Sequence, residues 1–118
     1  MSAKIVTAAL VLMFGCLVAS QSNHFYWGVR DPRDVLLNRT IAVASGSFLR
    51  VKSIDLEYPI KGQQGRNISA ITVLDQEING NGGYASLFAG GIGYSYTTVH
   101  LKSQRSHGYN FIVEIYGR

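Results

Sequence analysis

The sequence has 118 residues, a formal net charge of +4 and a single cysteine, Cys16. A chain of this length can build one domain with a real core but is too short for two. One cysteine excludes a disulfide-stapled scaffold and a multi-cysteine zinc site. The eleven Lys and Arg residues are interleaved with seven acidic residues. They form no dense basic stripe, so we expect no direct nucleic-acid binding.

The first twenty residues have the pattern of a secretory signal peptide. Lys4 is followed by fourteen uncharged residues, Ile5 to Val18, and then by the small residues Ala19 and Ser20. This run is shorter than the roughly 20 apolar residues of a transmembrane helix, and no later segment resembles a membrane span. We therefore predict a signal peptide at residues 1–20 and a secreted mature chain. The alternative is a hydrophobic N-terminal helix retained in the fold.

Cleavage after Ser20 would leave 98 residues and, because Lys4 is removed, ten basic against seven acidic residues, a net charge of +3. The mature chain would contain no cysteine, and its stability would depend on packing alone.

Residues 21–40 show no clear periodicity, and we predict an irregular N-terminal segment there. Phe25, Tyr26 and Trp27 stand together. We expect these aromatic side chains to cover one open end of the core, with an exposed binding patch as the alternative. Asp31-Pro32 suits either a turn or a short helical turn.

Residues 41–118 alternate apolar and polar side chains, which is typical of half-buried strands. The alternation includes Ile41 and Val43, Leu49 to Lys52, Ile54 to Tyr58, "ISAITVLD", "YSYTTVHLK" and "YNFIVEIYG". A phase slip at Ser53 indicates a bulge or a bend in a long strand. No helical period is sustained. We predict a single all-β domain, an antiparallel β-sandwich or small barrel of six to seven strands.

Two glycine-rich stretches predict turns. The segment Asn79 to Gly83 contains two Asn-Gly steps, which favour a hairpin turn. Gly90, Gly91 and Gly93 are followed by the strand pattern "YSYTTVHLK". A phosphate loop needs a helix N-terminus at that point, so we interpret these glycines as a chain reversal between two strands.

The pattern predicts no catalytic, metal or cofactor site. Asp55 with Glu57 and Asp75 with Glu77 are each two residues apart, which places each pair on one solvated strand face. The three histidines form no i, i+4 pair, and no serine has a G-x-S-x-G context. Two alternatives stay open. A hydrolase would bring His100 or His107 to Asp75 or Glu77, and a carrier would enclose an apolar ligand beside Tyr94, Tyr96, Phe111 and Val113.

A candidate protein interface combines aromatic and basic residues, which are frequent at interface hot spots. It comprises Tyr94, Tyr96, His100, Lys102, Arg105 and Tyr109. The alternatives are an ordinary cross-strand tyrosine ladder and a stacking surface for single-stranded nucleic acid. Two sequons, at Asn38 and Asn67, are candidate glycosylation sites that fit a secretory route.

A family pattern covers about the last fifty residues. It is carried by Ile68 to Asp75, Gly82-Gly83-Tyr84-Ala85, Gly90-Gly91 with Gly93, Ser103 to Arg105 with Gly108, and Phe111 to Gly117. These residues resemble the multiprotein bridging factor 2 family of insects, which includes salivary secreted peptides and response-to-pathogen proteins. The family often has a proline where this chain has Ile92, and the segment from His24 to Gly62 resembles it only loosely.

The resemblance implies two functions. Most members are secreted and are associated with saliva, venom, gut and immune response. The family's name comes from a transcription coactivator that works with a partner bridging factor. Together they link a DNA-binding regulator to the general transcription machinery. Because of the predicted signal peptide, we expect a secreted, non-enzymatic binding protein. The nuclear coactivator is the alternative.

Overall fold

The computed structural model describes residues 23–77 and 80–118. In these ranges the chain forms seven strands and no helix. The predicted signal peptide at residues 1–20 lies outside the described residues. The strands are β1 (Phe25–Gly28), β2 (Val35–Ala44), β3 (Ser53–Tyr58), β4 (Ile68–Asp75), β5 (Tyr84–Gly90), β6 (Thr97–Lys102) and β7 (Tyr109–Gly117).

The strands form two antiparallel sheets. Sheet A has four strands in the order β1-β4-β7-β2, and sheet B has three in the order β3-β6-β5. The two sheets bury their inner faces against one another, which confirms the predicted all-β class. Of the two predicted architectures, the structure has the sandwich.

The core lies between the sheets and is built by strict alternation. On β7 every second residue is buried, from Tyr109 to Gly117. β4 follows the same rule except at Ala70 and Ile71, which are both buried and come directly after a register shift between Ile68 and Ala70. Full burial of an aliphatic or aromatic side chain stabilises the fold by roughly 1.5–3 kcal/mol. The largest fully buried apolar side chains are Phe111, Ile68, Ile71, Leu101, Val73 and Val99.

Residues 21–40 are more regular than we predicted. β1 pairs with β4 from Phe25 to Gly28, and β2 begins at Val35. Phe25 and Trp27 pack against the core while Tyr26 between them is 63% exposed. The expectation of an irregular segment was wrong because β1 is too short, at four residues, to show a periodicity. The expectation that the aromatic residues cover the core holds for two of the three.

The alternation at residues 49–52 does not form a strand. Arg50 N–H donates to the carbonyl of Ser47 at 3.0 Å, closing a turn with Phe48 and Leu49 at its corners. Leu49 has a φ of 60°, a conformation that a branched side chain rarely adopts. The phase slip at Ser53 therefore marks the start of β3 after a bend, and no bulge interrupts the pairing of β3 with β6.

The connection from β4 to β5 passes from one sheet to the other, so the hairpin predicted at residues 79–83 is wrong. Asn79 itself lies outside the described residues. A Cβ at Gly82 would overlap Oδ2 of Asp75. Asp75 is only 4% exposed, and its carboxylate accepts backbone N–H groups from Asn23 and Glu77, each at 2.9 Å. These donors satisfy the buried charge. The prediction that Asp75 lies on a solvated face was therefore wrong.

The second glycine stretch does reverse the chain between β5 and β6. Gly90 pairs with Thr97, and Gly91 N–H donates to the carbonyl of Tyr96 at 3.0 Å. Gly93, with a φ of 86°, donates its N–H to the carbonyl of Ile68, whose own N–H bonds to Tyr94. The turn therefore also fastens sheet B to the first residue of β4 in sheet A.

Candidate binding surfaces

The predicted interface begins on the outer face of sheet B. On β6, Val99 and Leu101 are buried and His100 and Lys102 lie on the opposite side. This is the alternation that the sequence predicts. Asp55 and Glu57 on the neighbouring β3 are exposed, also as predicted.

His100 is held between two neighbours on this face. Its Nδ1 lies 2.6 Å from Oδ1 of Asp55 on β3. Its ring stacks on that of Phe88 on β5, with centroids 4.1 Å apart and planes 9° from parallel. The β5–β6 register shifts between Leu87 and Ala89, so Phe88 is the extra residue of a bulge. Bulges redirect side chains, and here a 61% exposed aromatic ring is fixed in one orientation.

The register also places Ser86 opposite His100, on the side away from Asp55. Serine, histidine and aspartate in one row are the residue types of a nucleophilic triad, which requires a serine–histidine hydrogen bond and oxyanion donors. In residues 23–77 and 80–118 no hydrogen bond joins Ser86 to His100.

The carboxylate that His100 contacts is Asp55, and the histidine that contacts Asp75 is His24, whose Nδ1 accepts the Asp75 N–H at 3.0 Å. His100 and Asp75 therefore take different partners from those of the hydrolase alternative. Within the described part of the chain, no group of three His, Cys, Asp or Glu residues could hold a metal ion.

The remaining predicted interface residues do not lie together. Tyr94 and Tyr96 precede β6 in the glycine turn, about half exposed and edge to face at 5.5 Å. Arg105 lies beyond the other end of β6, where its guanidinium donates to the carbonyl of Leu49. The six predicted residues thus occupy four places in the fold.

Tyr109 was wrongly predicted to be at the surface. It is 5% exposed and stacks with Phe111 at 6.1 Å inside the core. Its position follows from the alternation of β7, whose odd-numbered residues are all buried. Burial raises the pKa of its phenol.

A groove that the sequence did not predict lies on the outer face of sheet A. It has a volume of about 450 Å³ over β1, β4 and β7 and includes Tyr26, Thr72 and Tyr116. The guanidinium of Arg30 stands 4.3 Å above the ring of Tyr116. Burial, followed by the nearby charge of Glu114, raises the pKa of the Tyr116 phenol. Arg30 and Tyr116 are far apart in sequence, so only the pairing of β1, β4 and β7 reveals their contact.

This groove differs from the cavity that the carrier alternative requires. Phe111 and Val113 are fully packed between the sheets, whereas the groove lies on the opposite side of sheet A. Its apolar lining is therefore open to the outside and not enclosed by the sandwich.

The two sequons have different surroundings. Asn67 is exposed and precedes β4. Asn38 is half-buried within β2 and pairs with Ile115 of β7. No helix in the described ranges is both long enough and apolar enough to cross a membrane.

The fold is an antiparallel β-sandwich with exposed aromatic residues on both outer faces. The chain matches the family described as "Transcription activator MBF2" over residues 27–117. It belongs to this family, which confirms the resemblance drawn from the sequence. A similar protein is the "Probable salivary secreted peptide" of Bombus ignitus, 36% identical over 116 residues, which cover 98% of this chain and 85% of that protein. No solved structure matches the chain.

Proposed function

We propose that this protein is a secreted insect binding protein, salivary or defence-related, that acts through contact with another protein and not through catalysis. The observation that carries the proposal is the similarity to a salivary secreted peptide over 98% of the chain. That span includes most of residues 1–20, which have the charge and apolar pattern of a signal peptide.

The surface that best supports protein binding is the outer face of sheet B. We call Tyr84, Phe88, His100 and Lys102 the His100 patch. Phe88 and Tyr84 are 61% and 52% exposed. The stack on His100 and the Asp55 contact hold the Phe88 ring in place before a partner arrives. A rigid exposed aromatic residue loses little side-chain entropy on binding and is suited to be a hot spot.

A transcription coactivator is the second candidate, and the family description favours it. In that function the chain would contact a partner bridging factor and the general transcription machinery in the nucleus. Bridging of this kind needs no contact with DNA, which suits the scattered basic residues. The same exposed patch could serve either function, so the compartment separates the two.

Expression of the full chain in insect cells tests the proposal. We expect wild type in the medium, and retention in the cell when Leu10→Arg and Leu12→Arg place charge in the apolar run. A matched variant with Leu10→Val and Leu12→Val should be secreted like wild type. Accumulation of wild type in the nucleus would support the coactivator instead.

Chemical cross-linking of the secreted chain to proteins of the same fluid tests the His100 patch. Phe88→Ala should abolish a cross-linked species that Tyr26→Ala retains, because Tyr26 is equally exposed, at 63%, on the other sheet. If both variants retain it, the His100 patch is not the interface. If wild type and Phe88→Ala unfold at the same temperature, loss of folding does not explain the difference.

A further inference from the structure

Two connections are joined at one end of the sandwich, residues 45–52 between β2 and β3 and residues 103–108 between β6 and β7. Leu49 N–H donates to Oγ of Ser106, and Ser106 N–H donates to the carbonyl of Arg50, both at 2.8 Å. Lys52 N–H donates to Oγ of Ser103 at 2.8 Å. These bonds hold the turn at residues 47–50 in a fixed shape although Leu49 and Ser106 both have positive φ.

The fixed turn presents apolar side chains to the outside. Phe48, Leu49 and Val51, here called the apolar tip, are 85%, 57% and 42% exposed. Glycine, asparagine or aspartate usually fills the corners of such a turn because these residues tolerate positive φ. Here Phe48 and Leu49 stand at the corners and form a projecting point.

Basic residues surround the apolar tip. We call Arg50, Lys52, Lys102 and Arg105 the basic collar. Residues 45–52 and 103–108 contain no acidic residue. The nearest acid in sequence is Asp55 on β3, whose carboxylate lies 2.6 Å from Nδ1 of His100. At the end of β4, Asp75 is buried and bonded to backbone N–H groups, and Glu77 after it is partly buried. The outer surface around the apolar tip therefore has mainly positive charge.

We propose that this end of the sandwich docks on an anionic lipid bilayer. The apolar tip would enter the boundary between headgroups and acyl chains, and the basic collar would contact the headgroup phosphates. Interfacial segments combine apolar side chains with Lys and Arg in this way, and anionic lipids attract clustered basic residues. The proposal goes beyond protein binding. Lys102 belongs to both the basic collar and the His100 patch, but Tyr84, Phe88 and His100 take no part in the membrane contact.

A membrane fits the apolar tip better than a protein partner does. A stable protein interface buries at least about 1,000 Å² in total, and three side chains on one projecting turn offer much less. A narrow apolar segment can insert into a bilayer, and the anionic headgroups attract the positive charge around it.

Vesicle co-sedimentation of the purified mature chain tests the proposal. We expect binding to vesicles of phosphatidylcholine mixed with phosphatidylserine, little binding to phosphatidylcholine alone, and weaker binding as salt rises. Phe48→Ser should lower the partition coefficient about tenfold, and Arg50→Gln with Lys52→Gln about fivefold for each charge removed. Val29→Ser, also 85% exposed but at the opposite end, and Lys61→Gln with Arg66→Gln are the matched controls and should bind like wild type.

Three results would overturn the proposal. They are failure of the wild-type chain to sediment with the mixed vesicles, binding by Phe48→Ser equal to that of wild type, and a loss of binding in the control variants as large as that in the variants of the apolar tip and the basic collar. Failure to sediment would leave the apolar tip to a protein partner.

A depth measurement checks insertion separately. The indole introduced by Phe48→Trp should be quenched by brominated acyl chains, whereas Trp27, the single native tryptophan, packs against the core and should not be. Binding without such quenching would also contradict the insertion of the apolar tip.

Discussion

Nε of Arg118 donates a 2.9 Å hydrogen bond to Oδ1 of Asp34, which ties the residue after β7 to the loop between β1 and β2. The Asp34 side chain is fully buried, and it also accepts the backbone N–H of Asp31 and the hydroxyl of Ser69. The Asp31 N–H is the largest favourable influence, and together with Arg118 and Ser69 it lowers the pKa of Asp34. One carboxylate thus joins three parts of sheet A.

This carboxylate should make stability depend on pH. The pKa of Asp34 is lower in the folded chain than the roughly 3.9 of an unfolded aspartate, so its contribution is present above about pH 4. The contribution is lost as pH falls from there through the folded pKa. In urea unfolding, wild type should weaken on acidification below about pH 4, while Asp34→Asn should be weaker at neutral pH and change less.

Glu57→Gln, on the exposed face of sheet B, is the control and should keep the wild-type pH profile. An Asp34→Asn profile that falls as steeply as wild type would assign the acid sensitivity to other groups.

Gly82 should tolerate no side chain. A Cβ there would overlap the buried Asp75 carboxylate, so Gly82→Ala should lower the free energy of unfolding by about 3 kcal/mol. At Gly93 a Cβ meets open space but the φ is 86°, and Gly93→Ala should cost about 1–2 kcal/mol. Chemical denaturation of both variants checks the order, and a larger loss at Gly93 would refute the packing argument.

Leu49 should reduce the stability of its own turn. Asparagine tolerates positive φ better than leucine does, so Leu49→Asn should raise the free energy of unfolding by about 0.5–1 kcal/mol. Val51→Asn, at a neighbouring exposed position without positive φ, should bring no gain. Thermal and urea unfolding would detect the difference. A destabilised Leu49→Asn would mean that the leucine side chain packs usefully in the turn.

The period-two pattern predicted the central strands well because the two faces of each strand differ in burial: one face is buried and the other is partly exposed. β6 and β7 each have one face in the core. β7 spans the expected residues, whereas β6 begins at Thr97, three residues after the expected start at Tyr94. The same pattern was misleading at Leu49 to Lys52, where the alternating residues form a turn held by Ser103 and Ser106 from a distant connection.

The candidate interface depended on contacts between strands that no local pattern contains. His100 was found, but its partners Asp55 and Phe88 come from β3 and β5, and the bulge that places Phe88 has no clear sequence signal. Tyr109 was misplaced although the alternation of β7 groups it with the apolar residues Phe111, Val113 and Ile115, which are buried. The contact of Arg30 with Tyr116 was missed because it depends on the pairing of β1 and β7 with β4.

The sequons should be used unequally if the chain is secreted. Asn67 is exposed outside the strands, whereas Asn38 is half-buried in the β2–β7 pairing. In protein secreted by insect cells, Asn67→Gln should remove the glycan mass and Asn38→Gln should leave it unchanged. Persistence of the glycan in Asn67→Gln would show that Asn38 is accessible during folding.

The most direct test of secretion is the intact mass and N-terminal sequence of the chain made by insect cells. We predict that the protein in the medium begins near Gln21, after cleavage that follows Ser20. A chain that keeps its Met1 or Ser2 start and accumulates in the nucleus would contradict secretion and would support the coactivator.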